Sequence, residues 1–302
     1  MKPIFVGSGV ALITPFDKDG KIDFRQFKNN IELQIKSGTD AIIVCGTTGE
    51  GSTLSVDERL ELFTIAAEQV NKRIPVIGGT GSNSTFFTLD LAKKAEKCGI
   101  DAHLIVTPYY NKTSQKGLVY HYYTLADELT KPIIIYNVPS RTGLNITAET
   151  YRQLSFHKNL VAVKEADTSI SKLIKSLQLC EDRLDFYIGN DDMISTAMSL
   201  GCKGVISVLS NILPSFTHEM TMHGFNGDTA LSTKMQIEAL ELIEALFFDV
   251  NPIPIKESMA HFGFDTGRLR GPLVNTDAAT KERLISVLER YRILIEAENK
   301  KI

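Results

Sequence analysis

Apolar residues along this chain gather in short dense runs, each followed by a longer stretch in which they recur at helical spacing. Eight runs read as strands: 10–14, 41–45, 75–79, 102–107, 133–137, 161–164, 186–189 and 204–208. Most are apolar almost throughout, as expected of parallel strands covered on both faces. The stretches 23–37, 56–71, 84–98, 115–129 and 169–179 carry the period of amphipathic helices. Ser55 ahead of Val-Asp-Glu and Thr147 ahead of Ala-Glu are helix start signals. Strand–helix alternation eight times over predicts an α/β fold of the (β/α)8 type, a TIM barrel. The rival is an open doubly wound sheet. It is disfavoured because no G-x-G-x-x-G follows the first strand. Gly78-Gly-Thr-Gly81 lacks the lysine of a phosphate loop.

After residue 208 the strand pattern stops. Residues 229–248 read as a long helix, Asn251-Pro-Ile-Pro254 breaks it, and 255–261 and 280–297 look helical again. The expected organisation is a catalytic barrel over 1–227 and an all-helical appendage over 228–302.

Composition narrows the class without naming a chemistry. The 302 residues are 43% hydrophobic and 23% charged, ordinary for a soluble enzyme. The net charge is −3 and no basic run occurs, so neither nucleic acid nor an anionic membrane is the expected partner. Cys45, Cys98, Cys180 and Cys202 are scattered, with no C-x-x-C pair, as in a chain from a reducing cytoplasm. The apolar run 4–13 loosely mimics a signal peptide. It lacks a small-x-small cleavage site and leads straight into Thr14-Pro15, so a first buried strand is the better reading. No apolar stretch approaches the roughly 20 residues that span a bilayer.

Chemistry collects at the strand ends, where a barrel of this kind carries its active site. Lys164 stands in Val161-Ala-Val-Lys-Glu-Ala166. A lysine buried in such a strand has its ammonium form disfavoured and can serve as a Schiff-base nucleophile toward a ketone. The same lysine could instead lie at the strand end and reach water, or pair with Glu165. Strand two ends in Gly46-Thr47-Thr48-Gly49-Glu50, whose N–H groups and hydroxyl suit a carboxylate. Strand four ends in Tyr109-Tyr110, strand five in Tyr136 and then Arg141, and strand seven in Gly189. Strand eight carries Ile206. Imine chemistry moves protons at each step, and Tyr136, Thr47 and Tyr110 are hydroxyls of the right type. Arg141 offers a two-pronged donor to a second carboxylate. Taken singly, Tyr136 could be a core tyrosine and Arg141 a surface loop residue. The six histidines make no H-x-x-x-H or H-E-x-x-H, so metal-dependent aldol chemistry is disfavoured and no metal is expected.

Gly46-Thr-Thr-Gly-Glu50, Pro108-Tyr-Tyr-Asn111, Tyr136-Asn-Val-Pro-Ser-Arg-Thr-Gly143, Val163-Lys-Glu165, Gly204-Val-Ile-Ser-Val208 and Asn251-Pro-Ile-Pro-Ile-Lys256 resemble the dihydrodipicolinate synthase family, in order and over essentially the whole chain. The resemblance implies condensation of pyruvate with L-aspartate-4-semialdehyde in the diaminopimelate route to lysine, with no metal or organic cofactor. It implies Lys164 as Schiff-base residue and Tyr136 as proton donor and acceptor, linked through Thr47 to a Tyr110 from a neighbouring subunit. It further implies that Thr48 and the backbone at Ile206 hold pyruvate and that Arg141 receives the semialdehyde carboxylate. The implied assembly is a homotetramer of tight dimers. N-acetylneuraminate lyases and keto-deoxy-sugar-acid aldolases share the lysine and the strand-five tyrosine. The double threonine and Arg141 point away from them. A non-catalytic metabolite-binding barrel is a further alternative. In lysine-inhibited relatives a glutamate and histidines bind lysine at the dimer interface. Phe87, Val56 and Arg59 stand at the matching places here, while Asn83 and Tyr109 are retained, so insensitivity to lysine is expected.

Overall fold

Eight parallel strands close into one barrel in chain order. They are β1 (Gly7–Ala11), β2 (Ala41–Val44), β3 (Val76–Gly79), β4 (Ala102–Val106), β5 (Ile133–Asn137), β6 (Leu160–Glu165), β7 (Asp185–Ile188) and β8 (Gly204–Ser207). The computed structural model describes residues 2–264 and 266–299. β1 pairs with both β2 and β8, which closes the ring. The (β/α)8 architecture expected from the alternation is therefore the architecture observed.

β1 begins three residues before the apolar run 10–14 suggests. Its small residues meet a crowded neighbour: Gly7 pairs with Gly204, and a Cβ on Gly204 would lie 2.0 Å from Gly7 O. The apolar residues beyond Ala11 leave the sheet but stay buried, the Leu12 N–H still bonded to Ile43 O at 3.0 Å.

Helix starts follow the side chains that cap them. Asp23, Ser55, Ser84, Ser114, Thr147, Ser169, Asp228 and Asp277 each accept a backbone N–H of the first turn. Ser55 and Glu58 form a full capping box. The stretch expected as one helix over 280–297 is two, Ala278–Arg290 and Arg292–Asn299. Tyr291 stands at the break, its hydroxyl donating to Glu238 O at 2.7 Å.

Residues alternate between two cores, as the two-residue period of a strand demands. Ile43, Ile77, Leu104, Ile134, Ala162, Tyr187 and Ile206 fill the barrel. Phe5 stacks on Tyr187 with ring centroids 4.3 Å apart. Outward-facing Ile105, Ile135 and Val163 share a cluster with Met235, Leu242, Ile255 and Leu284 of the C-terminal helices. The tail thus packs into the barrel's outer layer.

His121 is buried behind β4, its Nδ1 2.8 Å from the Thr85 hydroxyl and its Nε2 without a partner. Burial holds its pKa down at about 4, against an ordinary 6.5. The unfolded chain therefore takes up a proton between these values that the folded chain refuses, and stability falls as pH drops through that window. The difference corresponds to about 3 kcal/mol. Urea titrations stepped from pH 6.5 to 4 should show that loss, and His121→Asn should flatten the slope whatever it does to absolute stability. An unchanged slope would mean that the imidazole is protonated in place.

Candidate active site

The register of the barrel sets Lys164 between Tyr136 on β5 and Tyr187 on β7. Alternation then sends successive residues of β6 to opposite faces. Ala162 and Lys164 face the barrel interior, and Glu165 faces the helices. There Glu165 accepts hydrogen bonds from the Tyr151 hydroxyl at 2.8 Å, Asn137 Nδ2 at 2.7 Å and Lys172 Nζ at 3.0 Å. A Lys164–Glu165 pair is thereby excluded. Lys164 is 6% exposed, so it does not reach water freely either. Its Nζ stands 4.5 Å from the Tyr136 ring centroid. Gly189 closes in from β7: a Cβ there would sit 3.0 Å from Lys164 Cε. Any side chain at 189 would crowd the lysine.

A cavity of about 250 Å3 at the C-terminal strand ends is lined among others by Thr47, Arg59, Tyr109, Tyr136, Arg141 and Thr142, and Lys164 adjoins it through Tyr136. Thr48 is buried at its edge and accepts a hydrogen bond from Asn251 Nδ2 at 3.0 Å. Arg141 Nη2 donates to Asn251 O at 3.1 Å. Ile206 is fully buried in the barrel. Tyr110 does not line the cavity. It is 91% exposed, with φ at 69°. One chain thus brings together Lys164, Tyr136, Thr47 and Arg141 and turns Tyr110 outward.

The strand-two turn is shaped by close backbone approach. Cys45 and Glu50 both hold left-handed conformations, with φ 58° and 52°. A Cβ on Gly79 would lie 2.4 Å from Cys45 O. Gly79, at the end of β3, therefore serves packing of this turn rather than phosphate binding. Burial pushes the Cys45 thiol up to about 12, which leaves it unreactive at neutral pH.

Three contributors were not read from the sequence. Asn251 bridges Thr48 and Arg141, whereas Asn251-Pro-Ile-Pro254 had registered only as a helix breaker and a family motif. Asp191 is buried, and its Oδ2 accepts the N–H groups of Val208 and Leu209 at 3.0 and 2.9 Å, fixing the turn after β8. Burial pushes its carboxyl up, against the pull of those bonds and of Lys164's charge. Lys256 is buried and bonds Glu50 Oε1 at 2.8 Å, Thr14 O at 3.0 Å and Arg268 O at 2.8 Å. Burial pulls its ammonium down and Glu50 opposes that pull. Both lysines stand over an aromatic ring, and the three protein oxygens bonded to Lys256 Nζ are what distinguish it from Lys164.

Among the described residues no three His, Cys, Asp or Glu side chains group closely enough to hold a metal ion. No described helix is long and apolar enough to cross a membrane. Residues 4–291 match the model of the dihydrodipicolinate synthetase family. The chain belongs to that family. It is 49% identical over 291 residues to 4-hydroxy-tetrahydrodipicolinate synthase 1 of Clostridium acetobutylicum, covering 96% of this chain and 99% of that one. The fold matches dihydrodipicolinate synthase from Aquifex aeolicus with a TM-score of 0.93 at 37% identity, over 96% of this chain and 99% of that one. A monomeric dihydrodipicolinate synthase variant matches with a TM-score of 0.92 at 39% identity, over 95% and 96%. This member of the dihydrodipicolinate synthetase family carries its lysine, tyrosine and arginine in the order and at the strand ends read from its sequence.

Lys256→Met should cost about 3–5 kcal/mol in urea unfolding, because it leaves Glu50 charged, buried and without its cation. The double change Lys256→Met with Glu50→Gln should recover part of that loss. Equal stability of the single variant and the parent would mean that the pair is dispensable.

Proposed function

We propose that this chain is a 4-hydroxy-tetrahydrodipicolinate synthase, condensing pyruvate with L-aspartate-4-semialdehyde through a Schiff base on Lys164. The observation that carries the reading is the buried Lys164 Nζ, 4.5 Å from the ring of Tyr136, which lines one cavity with Thr47 and the exposed Arg141. The free amine of Lys164 attacks the ketone carbon of pyruvate, and loss of water leaves an imine. The imine draws electrons from the methyl group, which gives up a proton and becomes an enamine. The enamine carbon bonds to the aldehyde carbon of the semialdehyde, and the aldehyde oxygen takes a proton. The amino group of that substrate then attacks the imine carbon, closes the ring and frees Lys164. Tyr136 and Thr47 carry the protons. Thr48 and the backbone at Ile206 hold the pyruvate portion, Gly189 leaves room for it beside Lys164, and Arg141 pairs with the semialdehyde carboxylate. The route served is diaminopimelate and lysine synthesis, in the cytoplasm. Pyruvate followed by borohydride should fix an adduct on Lys164, found by peptide mass analysis, and purified protein should turn over aspartate semialdehyde but not N-acetylneuraminate. Labelling at Lys256, or no labelling, would overturn the assignment.

The outward Tyr110 supports an assembly in which it completes the relay of a neighbouring subunit, within a tetramer of tight dimers. Phe87 and Val56 are exposed beside that face, and neither offers a counter-charge to an ammonium. Lysine at millimolar levels should therefore leave activity unchanged. Inactive Tyr110→Phe and Lys164→Ala chains, mixed as hybrids confirmed by native mass spectrometry, should regain partial activity, because one site per hybrid has both residues. Hybrids without activity would refute the shared site and leave the Lys164 chemistry standing.

A further inference from the structure

Lys256 and Glu257 are neighbours on the helix Ile253–His261 and both border one cavity, but their charged groups have different partners. Lys256 turns to its ion pair with Glu50. Glu257 lines a second cavity, of about 280 Å3, between this helix, the helix Ala278–Arg290 and the strap that includes Thr266, Gly267 and Leu269. Among the described residues the Glu257 carboxylate pairs with no cation. Its Oε1 accepts the Thr276 N–H at 3.3 Å, and its Oε2, shielded from solvent, accepts no hydrogen bond. The Thr276 hydroxyl is likewise buried and without a partner. Lys281 lines the same cavity and, among the described residues, pairs with no carboxylate. His261, beside them, is already bonded to Glu289 at 2.6 Å. Leu284 and Leu288 supply an apolar wall.

An apolar-walled cavity with a few convergent polar groups is the usual form of a small-molecule site. Here those groups are one unmatched anion and one unmatched cation. We propose that this cavity binds a small zwitterion of the amino-acid type, with its ammonium on Glu257, its carboxylate on Lys281 and its carbon chain against Leu284 and Leu288. A shielded carboxylate oxygen without a partner is unfavourable, and an ammonium on Oε2 supplies what it lacks. The site is distinct from the barrel mouth yet mechanically joined to it. The strap that walls it continues to Arg268, whose carbonyl accepts Lys256 Nζ, and to Arg270, whose N–H donates to Glu50 Oε2 at 2.9 Å. A ligand that ties Glu257 to Lys281 across this cavity stabilises the folded chain by mass action.

The test is calorimetric titration and thermal unfolding of the full chain with L-alanine and with 4-aminobutyrate, whose charges are adjacent and separated respectively. Each is taken to about 10 mM, tenfold above the roughly 1 mM dissociation constant of a weak site. At least one should bind with one-to-one stoichiometry and raise the unfolding midpoint. Glu257→Gln and Lys281→Ala should each weaken binding about tenfold or more, while Lys164→Ala should leave it unchanged. Binding by neither probe, binding indifferent to both cavity substitutions, or binding lost in Lys164→Ala would overturn the proposal. Lys281 is exposed, so Lys281→Ala decides the matter even if Glu257→Gln misfolds.

Discussion

A buried ion pair between Lys256 and Glu50 joins parts of the chain that are 206 residues apart. Their side chains are 3% and 0% exposed. Such a pair holds only if both partners are fully satisfied, because each charge has left water. Here the ammonium meets three oxygens and stands 4.5 Å from the Phe16 ring centroid, while the second carboxylate oxygen of Glu50 accepts the Arg270 N–H. Glu50 closes the strand-two turn in a left-handed conformation that a glutamate adopts only when its surroundings impose it. The positions of Thr47 and Thr48 therefore depend on the tail. Arg270 secures the same strap a second time through Glu58, which also completes the capping box of the next helix.

The strands were legible because both faces of each are buried, which leaves a dense apolar run as their signature. β1 begins earlier than the dense run 10–14 because Gly7, Ser8 and Gly9 carry no large apolar side chain to mark them as strand. Distant neighbours explain why the two glycines must be small: a Cβ on Gly7 would lie 2.1 Å from Asp40 Oδ2 and one on Gly9 2.8 Å from Ile43 Cδ1. The candidate site was legible where a side chain stands at or just after a strand end, as Lys164, Tyr136 and Arg141 do. Asn251, Asp191 and the Lys256–Glu50 pair were not, because each acts through a partner far away in sequence. Asn251 meets Thr48 across 203 residues, and Asp191 meets Val208 across 17. Periodicity carries no information about such distances. The one local signal was the tight run of prolines around Asn251, which marked a rigid segment without saying what it touches.

The two-residue alternation of β6 decides more chemistry than any single contact in the barrel. It places a lysine and a glutamate at adjacent positions and still separates their environments. Glu165 is consumed by Tyr151, Asn137 and Lys172 on the helix side. Lys164 faces an aromatic ring and the space left by Gly189. A one-residue slip of β6 would exchange these faces and put the carboxylate inside the barrel. The neighbours that fix the register, Tyr136 and Tyr187, are also the side chains that flank Lys164. Fold register and the proposed nucleophile are thus specified by the same pairings.

Tyr110 runs against the economy of a single chain in two ways. Its backbone sits at φ 69°, a region that a bulky residue rarely enters and that costs on the order of 1–3 kcal/mol. Its ring is also 91% exposed, when nearby backbone positions could have turned it toward the cavity that Tyr109 lines. The loop that carries it is tied to the segment before Phe86 and Phe87 by Asn111 Nδ2 donating to Asn83 O at 2.9 Å. Phe86 and Phe87 are exposed as well. Three outward aromatics, one on this loop and two in the first turn of the helix Thr85–Glu96, form an apolar surface that water disfavours. Strain and exposure have one common physical account under the proposed assembly. The backbone turns Tyr110 out of its own site so that it can enter the neighbour's, and the two phenylalanines lose water when that surface is covered.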